Sequence, residues 1–592
     1  MPRHQTLRAT LDWSYELLPE PERAVLRRLA IFAGAFGLEA ARAVVASAEV
    51  APSEVVDGLS NLVAKSLVAA DVDGRIKRYR LLDTTRAYAV EKLCESGERD
   101  RLARRHAEYY RDAFEQAETE SETRPRAEWL ADHGRRIDNL RAALDWAFSP
   151  GGDASIGVAL TAAAVPLWMQ LSLLDECRGG VNWALSALAA GANRDARREM
   201  KLHAAQGASL MYTRSVTDPE VGAACTKALE IAERLDDIEY QLRALWGVWS
   251  FQMRGGQHRV TLALAQRFCS LAANRPDPSD RLIGERMMAE SEYLVGNLLG
   301  ARGQFEHMVS RYTASNRWSH IVRFQIDQRA RALLARILWL QGFPDQAMRT
   351  AQSSVDDARE TDHAISLCYD LALGACPVTL LMGDLGAADH YVGMLLDRSR
   401  RHALVLWQAW GRYYQGVLVI KRSGLINGLR LLRTGLDELG EAKFAVRFVP
   451  YLGEVAEALG RAGQIADGLG LVEEAVARFK HPEDSWLITD LLRSQGELLL
   501  LQGACAAEAA AEDQFRQALD WARQRGALSW ELRAATSLAR LLRDQGGPAD
   551  ARALIQPVYD RFTEGFDTAD LKAAKAFLDA LAEPAGLQTR DS

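Results

Sequence analysis

The chain has 592 residues, of which 48% are hydrophobic and 26% are charged, and its formal net charge is -7 at pH 7. This length exceeds what one hydrophobic core organises, so two or more domains are expected. The negative charge argues against general affinity for nucleic acid. No run of about 18 consecutive apolar residues predicts a membrane helix, and the N-terminus lacks the apolar segment of a signal peptide. We therefore expect a cytoplasmic protein without a membrane partner.

The first hundred residues combine short helical patterns with one hairpin pattern. Apolar residues at helical spacing predict helices over 6–18, 22–32 and 38–45, and from Pro52 onward. The period then changes to strand-like alternation over 66–70 and 77–82, with turn residues between the two runs. A helix follows over 83–93. Helices followed by a β-hairpin are typical of a winged helix module, which we place at residues 1–94.

Glycines recur through the second half of the chain at steps of 39 to 43 residues, a period typical of stacked helical pairs. Each closes an apolar helical stretch, where a left-handed C-cap is cheapest without a Cβ atom. The glycines are Gly303, Gly342, Gly383, Gly424, Gly463, Gly503 and Gly546. Small residues five positions later predict close approach of the two paired helices: Ala347, Ala388, Gly468 and Ala551, with Gly428 serving Gly424.

The remaining segments complete a mainly α architecture, a winged helix module followed by a TPR-like α-solenoid. Residues 95–150, rich in Arg and Glu, are predicted to form a helical connector. Degenerate helical repeats are expected over 151–255, and clearer TPR-like repeats over 256–580. Residues 581–592 contain proline and no apolar period, so a flexible tail is expected.

Several segments resemble those of bacterial STAND-type regulators. The similarity lies in residues 3–15, 28–34, 59–67 and 79–89 of the winged helix, 137–146 of the connector, and 529–539 and 562–571 near the end. Such proteins are signal-transduction ATPases with an NB-ARC-like nucleotide domain, a winged helix and a TPR-like sensor array. The resemblance implies a transcriptional regulator whose array binds a protein or effector, and whose winged helix relays binding to an NTPase or output domain.

Two departures from that family bear on the chemistry. The chain contains no G-x-x-x-x-G-K-[ST] motif and no Gly-Lys pair, so the cradle that holds nucleotide phosphates is missing. We expect no bound cofactor, with ATP or ADP relevant only if another chain supplies a nucleotide domain. Where the family commonly has Met-His-Asp, this chain has Leu81-Leu82-Asp83. Leu82 cannot hydrogen-bond a diphosphate, and Asp83 is expected to cap the following helix.

DNA binding by the winged helix is the main alternative. The first 110 residues carry 17 basic and 16 acidic residues, which is a weak charge for a DNA-binding domain. The helix after Pro52 offers Ser60, Asn61 and Lys65 as polar readers of bases. The hairpin is more basic, and its side chains would either contact phosphates or form a solvated strand edge: Arg75, Lys77, Arg78 and Arg80.

Candidate binding residues on the array are aromatic. Trp407, Trp410 and Tyr414 fall on one helical stripe, which is either core or the wall of a groove that holds a peptide, a partner helix or a small effector. The eleven histidines show no metal-ligand spacing, so neither a catalytic nor a metal site is predicted. The seven cysteines are scattered in helical patterns and are expected to be buried reduced thiols.

Three functions remain open from the sequence. The favoured one is a non-catalytic regulatory or sensor protein that binds a partner on its array and signals through the winged helix. The second is a regulator that binds DNA directly, and the third is an ATPase with an unrecognised site.

Overall fold

The computed structural model describes residues 2–71, 77–121, 124–171, 173–191, 195–213, 218–276, 278–312, 329–360, 364–402, 404–440, 451–477, 486–503 and 506–582. The chain divides into two compact units, Met1–Phe251 and Gln252–Ser592. The expected tail, 581–592, lies outside the described residues except for its first two positions. Both units are mainly helical, as the sequence predicts.

Unit 1 begins with the winged helix module. Its helices are α1 (Pro2–Glu16), α2 (Glu20–Leu29), α3 (Leu38–Val45), α4 (Pro52–Ala64) and α5 (Asp83–Glu95). Its strands are β1 (Phe36–Gly37), β2 (Ala69–Asp71) and β3 (Arg78–Arg80). The four predicted helices before the hairpin and the helix after it are all confirmed.

The predicted hairpin is part of a three-stranded antiparallel sheet in the order β1-β3-β2. Tyr79 of β3 pairs with Ala70 on one side and with Phe36 on the other. The strand β1 was not predicted, because two residues are too few for an alternating pattern. Helix α5 begins at Asp83 and Leu82 is its N-cap, so the prediction that Asp83 caps this helix is wrong. The Asp83 carboxylate lies in the first turn, where it interacts favourably with the helix dipole.

Eight more helices complete unit 1. They are α6 (Arg99–Ser121), α7 (Arg126–His133), α8 (Ile137–Ala147), α9 (Ala154–Gln170), α10 (Leu174–Ala189), α11 (Ala196–Thr213), α12 (Pro219–Arg234) and α13 (Ile238–Arg254), the last of which runs into the second unit. One hydrophobic core extends from Leu18 to Ala205 and includes Tyr110, Trp129 and Trp168. The winged helix, the connector and the first array helices therefore share a single core.

Unit 2 is an array of helical pairs. Its helices are α14 (His258–Ala272), α15 (Pro278–Leu294), α16 (Leu298–Tyr312), α17 (Arg329–Leu340), α18 (Pro344–Glu360), α19 (Ala364–Asp370), α20 (Cys376–Met382), α21 (Leu385–Arg401), α22 (Val405–Lys421), α23 (Leu425–Leu439), α24 (Leu452–Arg461), α25 (Ile465–Ala477), α26 (Thr489–Gln502), α27 (Ala507–Arg525), α28 (Leu528–Asp544), α29 (Pro548–Tyr559) and α30 (Ala569–Ala582). This is the TPR-like solenoid that the glycine period predicts.

Most of the predicted glycine caps are confirmed. A positive φ is found at Gly342, Gly383, Gly463, Gly503 and Gly546. The predictions for the other two glycines are wrong. Gly303 lies inside α16, and Gly296 (φ 81°) makes the turn before that helix. Ser423 (φ 70°) takes the left-handed conformation in place of the adjacent Gly424.

Small residues bring paired helices into close contact. Ala347, Ala388 and Ala551 are all fully buried. Helices α22 and α23 approach closely, since a Cβ atom built on Gly428 would lie 2.8 Å from the carbonyl oxygen of Gly416. These two backbones touch directly, so any larger side chain there would push the helices apart.

The array of unit 2 returns on itself. The indole of Trp486 donates a 2.8 Å hydrogen bond to the carbonyl of Tyr293, and Ser529 donates a 2.5 Å hydrogen bond to the carbonyl of Trp339. Farther along, the backbone N–H of Gln346 donates to Glu564 at 3.0 Å. Helices separated by about 200 residues in sequence therefore pack together, and the inner faces of the first helices of successive pairs face one another within unit 2.

One helical stretch in the described residues, Ala364–Met382, is long and apolar enough to span a membrane by length and composition. It contains a π-helical turn, Leu371–Ala375, immediately before the helix that carries Pro377. Most of this stretch, 83% of the apolar window, is buried inside the protein. Its apolar character is therefore that of a core helix.

Candidate binding groove

The groove of unit 2 is a cavity of about 440 Å³. It is formed by one face each of α22, α24, α26, α28 and α30, which are the first helices of successive pairs. Most of its lining is charged or polar, with leucine side chains from α26 and α28 between the charges. Its position on the inner faces of the array is where solenoid proteins bind their partners.

The floor of the groove is a network of paired charges. Arg493 lies 2.6 Å from Glu457 and 2.7 Å from Asp490, and Arg533 lies 2.7 Å from Asp570 and 3.5 Å from Asp490. Burial opposes the charged form of Asp490, yet the two guanidinium groups hold its pKa below the ordinary value. Because both arginines have carboxylate partners, these charges fix the geometry of the groove and are not free to bind a ligand.

The rim of the groove is different. Arg461 and Arg540 are exposed, and neither forms an ion pair or hydrogen bond with any described residue. Leu501, which also lines the groove, is 52% exposed. Two available cations beside an exposed apolar side chain form a surface that suits a partner with acidic and apolar groups. This surface was not predicted from the sequence, where the only groove prediction rested on aromatic residues at helical spacing.

The predicted aromatic groove is not open in the structure. Trp410 and Tyr414 are each only 1% exposed, and the Tyr414 hydroxyl donates a 2.6 Å hydrogen bond to the carbonyl of Ala372. These two rings belong to the core, so the groove interpretation is wrong for them. Trp407 is half-buried and meets Tyr369 edge to face at 5.9 Å. The helical stripe was real, but it faces another helix.

The basic residues of the hairpin have different environments. Arg75 lies outside the described residues. Arg78 donates a 2.9 Å hydrogen bond to the carbonyl of Asp132 in α7, and so contacts the connector. Lys77 and Arg80 are exposed, and their side chains form no ion pair or hydrogen bond with the part of the chain that is described.

The polar residues of α4 are engaged within the protein. Asn61 donates a 3.0 Å hydrogen bond to Glu22 of α2, and Lys65 forms an ion pair with the same carboxylate. Ser60 donates to the carbonyl of Val56 in its own helix at 2.9 Å. All three side chains that could read bases therefore have partners inside the winged helix module, which weakens the case for base-specific contacts.

The winged helix is attached to the connector by two buried polar contacts. Asn139 of α8 accepts a 2.9 Å hydrogen bond from the N–H of Ala33 and donates a 3.0 Å hydrogen bond to the carbonyl of Ala35. Arg28 of α2 lies 2.5 Å from Glu98, just before α6. Both contacts join parts of the chain about 70 to 106 residues apart. The connector thus holds the winged helix in a defined position.

The described residues provide no site for a metal ion, and most of their cysteine thiols are buried. The part of the chain that is described contains no cluster of three or more His, Cys, Asp or Glu residues that could hold a metal ion. Among the described cysteines, Cys177, Cys225, Cys368 and Cys376 are buried free thiols, as predicted, whereas Cys269 is half-buried and Cys94 is exposed. Burial raises the pKa of Cys177 to about 12, which keeps this thiol protonated and unreactive.

Together these features define a protein that joins a winged helix module to a TPR-like helical array. A family model described as a winged helix-turn-helix domain matches residues 18–94. A Mycobacterium tuberculosis (strain ATCC 25618 / H37Rv) protein named "Putative HTH-type transcriptional regulator" is 42% identical over 186 residues, which are 31% of this chain and 20% of that relative. The match therefore spans about a fifth of the length of that relative.

More distant similarities cover larger shares of the chain. An uncharacterized protein of Rhizobium meliloti (strain 1021) is 23% identical over 419 residues, which are 70% of this chain and 39% of the relative. Among solved structures, a Rap protein complexed with competence and sporulation factor is 12% identical, with 60% of this chain and 100% of that chain covered and a TM-score of 0.37. A STAND protein with a tetratricopeptide repeat sensor from Pyrococcus horikoshii is 11% identical, with 74% and 67% covered and a TM-score of 0.41.

Proposed function

We propose that this chain is a non-catalytic regulatory protein of the cytoplasm. Its helical array binds a protein or peptide partner in the groove of unit 2, and its winged helix relays that binding to an NTPase or output domain on another polypeptide segment or chain. The observation that carries this proposal is the groove, whose floor charges are paired while Arg461 and Arg540 at its rim have no partner among the described residues. A nucleotide enters the scheme only through such a second domain.

The chemistry of the groove selects the kind of partner. A peptide with a carboxylate beside an apolar side chain would pair with a rim arginine and cover Leu501 at the same time. Rim charges are solvent-exposed, so each pair contributes roughly 1 kcal/mol and acts mainly on association and selectivity. Burial of the apolar side chain supplies the rest of the affinity.

A peptide selection experiment tests this proposal. Random peptides displayed on phage are selected on the immobilised full chain, and the winners are measured by fluorescence anisotropy. We expect enrichment of peptides with acidic and apolar residues, and about tenfold weaker binding to the double variant Arg461→Glu and Arg540→Glu. Arg430→Glu, on the exposed face of α23 and outside the groove, is the matched control and should bind normally. Equal binding to the double variant and the control would refute the proposed site.

The relay is tested separately by hydrogen exchange. If peptide binding in the groove is communicated to the winged helix, then amides of residues 30–40 should change their exchange rate when the selected peptide is added. No change there, with protection confined to α24, α26 and α28, would mean that unit 2 binds a partner without a relay.

Direct DNA binding is the second candidate, because residues 18–94 match a winged helix-turn-helix model and Lys77 and Arg80 are exposed. A labelled 30-base-pair duplex is titrated with the full chain at low and at physiological salt. Salt-dependent binding that Lys77→Ala and Arg80→Ala together reduce would support this candidate, whereas the absence of binding at low salt would remove it.

A further inference from the structure

Arg336 of α17 is a buried cation without a counter-charge among the described residues. Arg336 is only 4% exposed. Its guanidinium carbon lies 5.8 Å from the ring centre of Tyr293 and 5.3 Å from that of Tyr451. It forms no ion pair or hydrogen bond with a described residue, and its Nη1 atom is fully buried. Among the described residues, its guanidinium is contacted by the aromatic rings of Tyr293 and Tyr451.

Other buried arginines of this protein are paired. Arg28 and Arg286, which are 1% and 0% exposed, lie 2.5 and 2.7 Å from a carboxylate oxygen, respectively. Removing a guanidinium from water without an acceptor is unfavourable, and two cation–π contacts return only part of that cost. Arg336 thus differs from the paired arginines, since the described part of the chain gives it no carboxylate acceptor.

A second polar group without a partner lies against the same guanidinium. The hydroxyl of Tyr451 is buried and makes no hydrogen bond with any part of the chain that is described. The other nearby hydroxyl, that of Tyr414, is already used, because it donates to the carbonyl of Ala372. Arg336 Nη1 and Tyr451 Oη are thus two donors without an acceptor among the described residues, on side chains that contact each other.

Arg336 keeps its charge in this environment. Burial disfavours the charged form, yet the electrostatic influence of Tyr293, Tyr451, Tyr414 and Tyr369 leaves the pKa of Arg336 above its ordinary value. A single cation in an aromatic enclosure is balanced by one negative charge, so a monoanion fits better than a phosphate dianion. A carboxylate also has two oxygen atoms that can accept from the two donors at once.

We propose that Arg336 and Tyr451 form a binding site for one carboxylate group of a ligand of unit 2. The carboxylate belongs either to a small free organic acid or to a peptide. The site is independent of the groove, since it rests on Arg336 and Tyr451 and on neither Arg461 nor Arg540. Binding would supply the missing acceptor and would stabilise unit 2.

The test compares the thermal stability of the full chain in sodium chloride, sodium acetate and sodium N-acetylglycinate at equal ionic strength. We expect a carboxylate salt to raise the Tm of the wild-type protein by about 2 °C or more, since ligand binding stabilises the folded state. A shift with acetate indicates that a small acid suffices, and a shift only with N-acetylglycinate indicates a peptide-like carboxylate. N-acetylglycinamide, which is neutral, should have no effect.

Two variants separate a binding role from a structural one. Arg336→Met removes the uncompensated charge, so in chloride its Tm should equal or exceed that of the wild type, and its response to carboxylate should be lost. Tyr451→Phe should keep a weakened response. The proposal is overturned if neither carboxylate shifts the wild-type protein, if Arg336→Met responds as the wild type does, or if that variant is less stable or unfolded in chloride.

Discussion

Replacing Asn139 by alanine should weaken the attachment of the winged helix to the connector. Asn139 is fully buried, and its side-chain oxygen accepts from the N–H of Ala33 at 2.9 Å and lies 3.3 Å from Nε2 of His106. Its amide nitrogen donates to the carbonyl of Ala35 at 3.0 Å. The substitution leaves the buried ring of His106 and the half-buried N–H of Ala33 and carbonyl of Ala35 without this partner, each at a cost of about 1 to 3 kcal/mol. We therefore expect unit 1 to lose about 4 kcal/mol of stability.

The loss is measured by hydrogen exchange of the full chain in increasing urea, which reports on each unit separately. Amides of residues 30–40 and of α6 should open at lower urea in Asn139→Ala, while amides of unit 2 should be unchanged. Asn61→Ala, which removes one hydrogen bond at a more exposed position, is the control and should cost less than about 1 kcal/mol. A loss below about 1 kcal/mol in Asn139→Ala would refute the reasoning, because the contact would then be dispensable.

Three further perturbations test other parts of the structure. Gly428→Ala should destabilise unit 2 by about 2 kcal/mol in urea unfolding, because the added methyl group would collide with a neighbouring backbone. Gly470→Ala, which has open space around it, should stabilise unit 2 by up to about 1 kcal/mol. Equal effects of the two substitutions would contradict the close packing at Gly428. Burial lowers the pKa of His106 to about 4, so unit 1 should lose up to about 3 kcal/mol of stability as the pH falls from 6.5 to 4. His106→Gln should remove that part of the pH dependence. Parallel curves of stability against pH for the wild type and this variant would contradict the prediction. Arg28→Met should cost about 2 kcal/mol because it removes the most buried of the three arginines that pair with Glu98, the others being Arg27 and Arg101. The double variant with Glu98→Gln should recover part of that loss, and strictly additive losses would show that Arg28 and Glu98 are not coupled.

These contacts bear on how the winged helix could take part in a relay. Glu22 engages Asn61 and Lys65 of α4, and Asn139 of α8 holds the turn before β1. A change in the connector helices would therefore be transmitted to the winged helix through fixed contacts. That arrangement suits a winged helix that changes its packing when a partner binds to the array.

Much of the fold could be predicted from sequence because its signals are local. A helix, a hairpin and a left-handed cap each depend on residues a few positions apart, so Gly342 and Gly383 could be assigned as caps without knowledge of the rest of the chain. The left-handed conformation of Ser423 was not predicted, because glycine favours that conformation and Gly424 lies directly beside this serine. The strand β1 escaped because two residues carry no period.

The sites depended on the tertiary structure. Helical spacing placed Trp410 and Tyr414 on one stripe, but whether that stripe faces a groove or another helix is decided by the packing of neighbouring repeats. Arg336 was visible in the sequence as a charge within the apolar run Leu333-Leu334-Ala335-Arg336-Ile337-Leu338, which is a signal that a charge is buried. Only the tertiary structure shows that this side chain lies against Tyr293 and Tyr451 and has no carboxylate partner among the described residues. The sequence by itself determined which segments become helices and where they turn, because backbone preferences are local. The tertiary path of the array decided which charges meet a partner, because that pairing joins residues far apart in the chain.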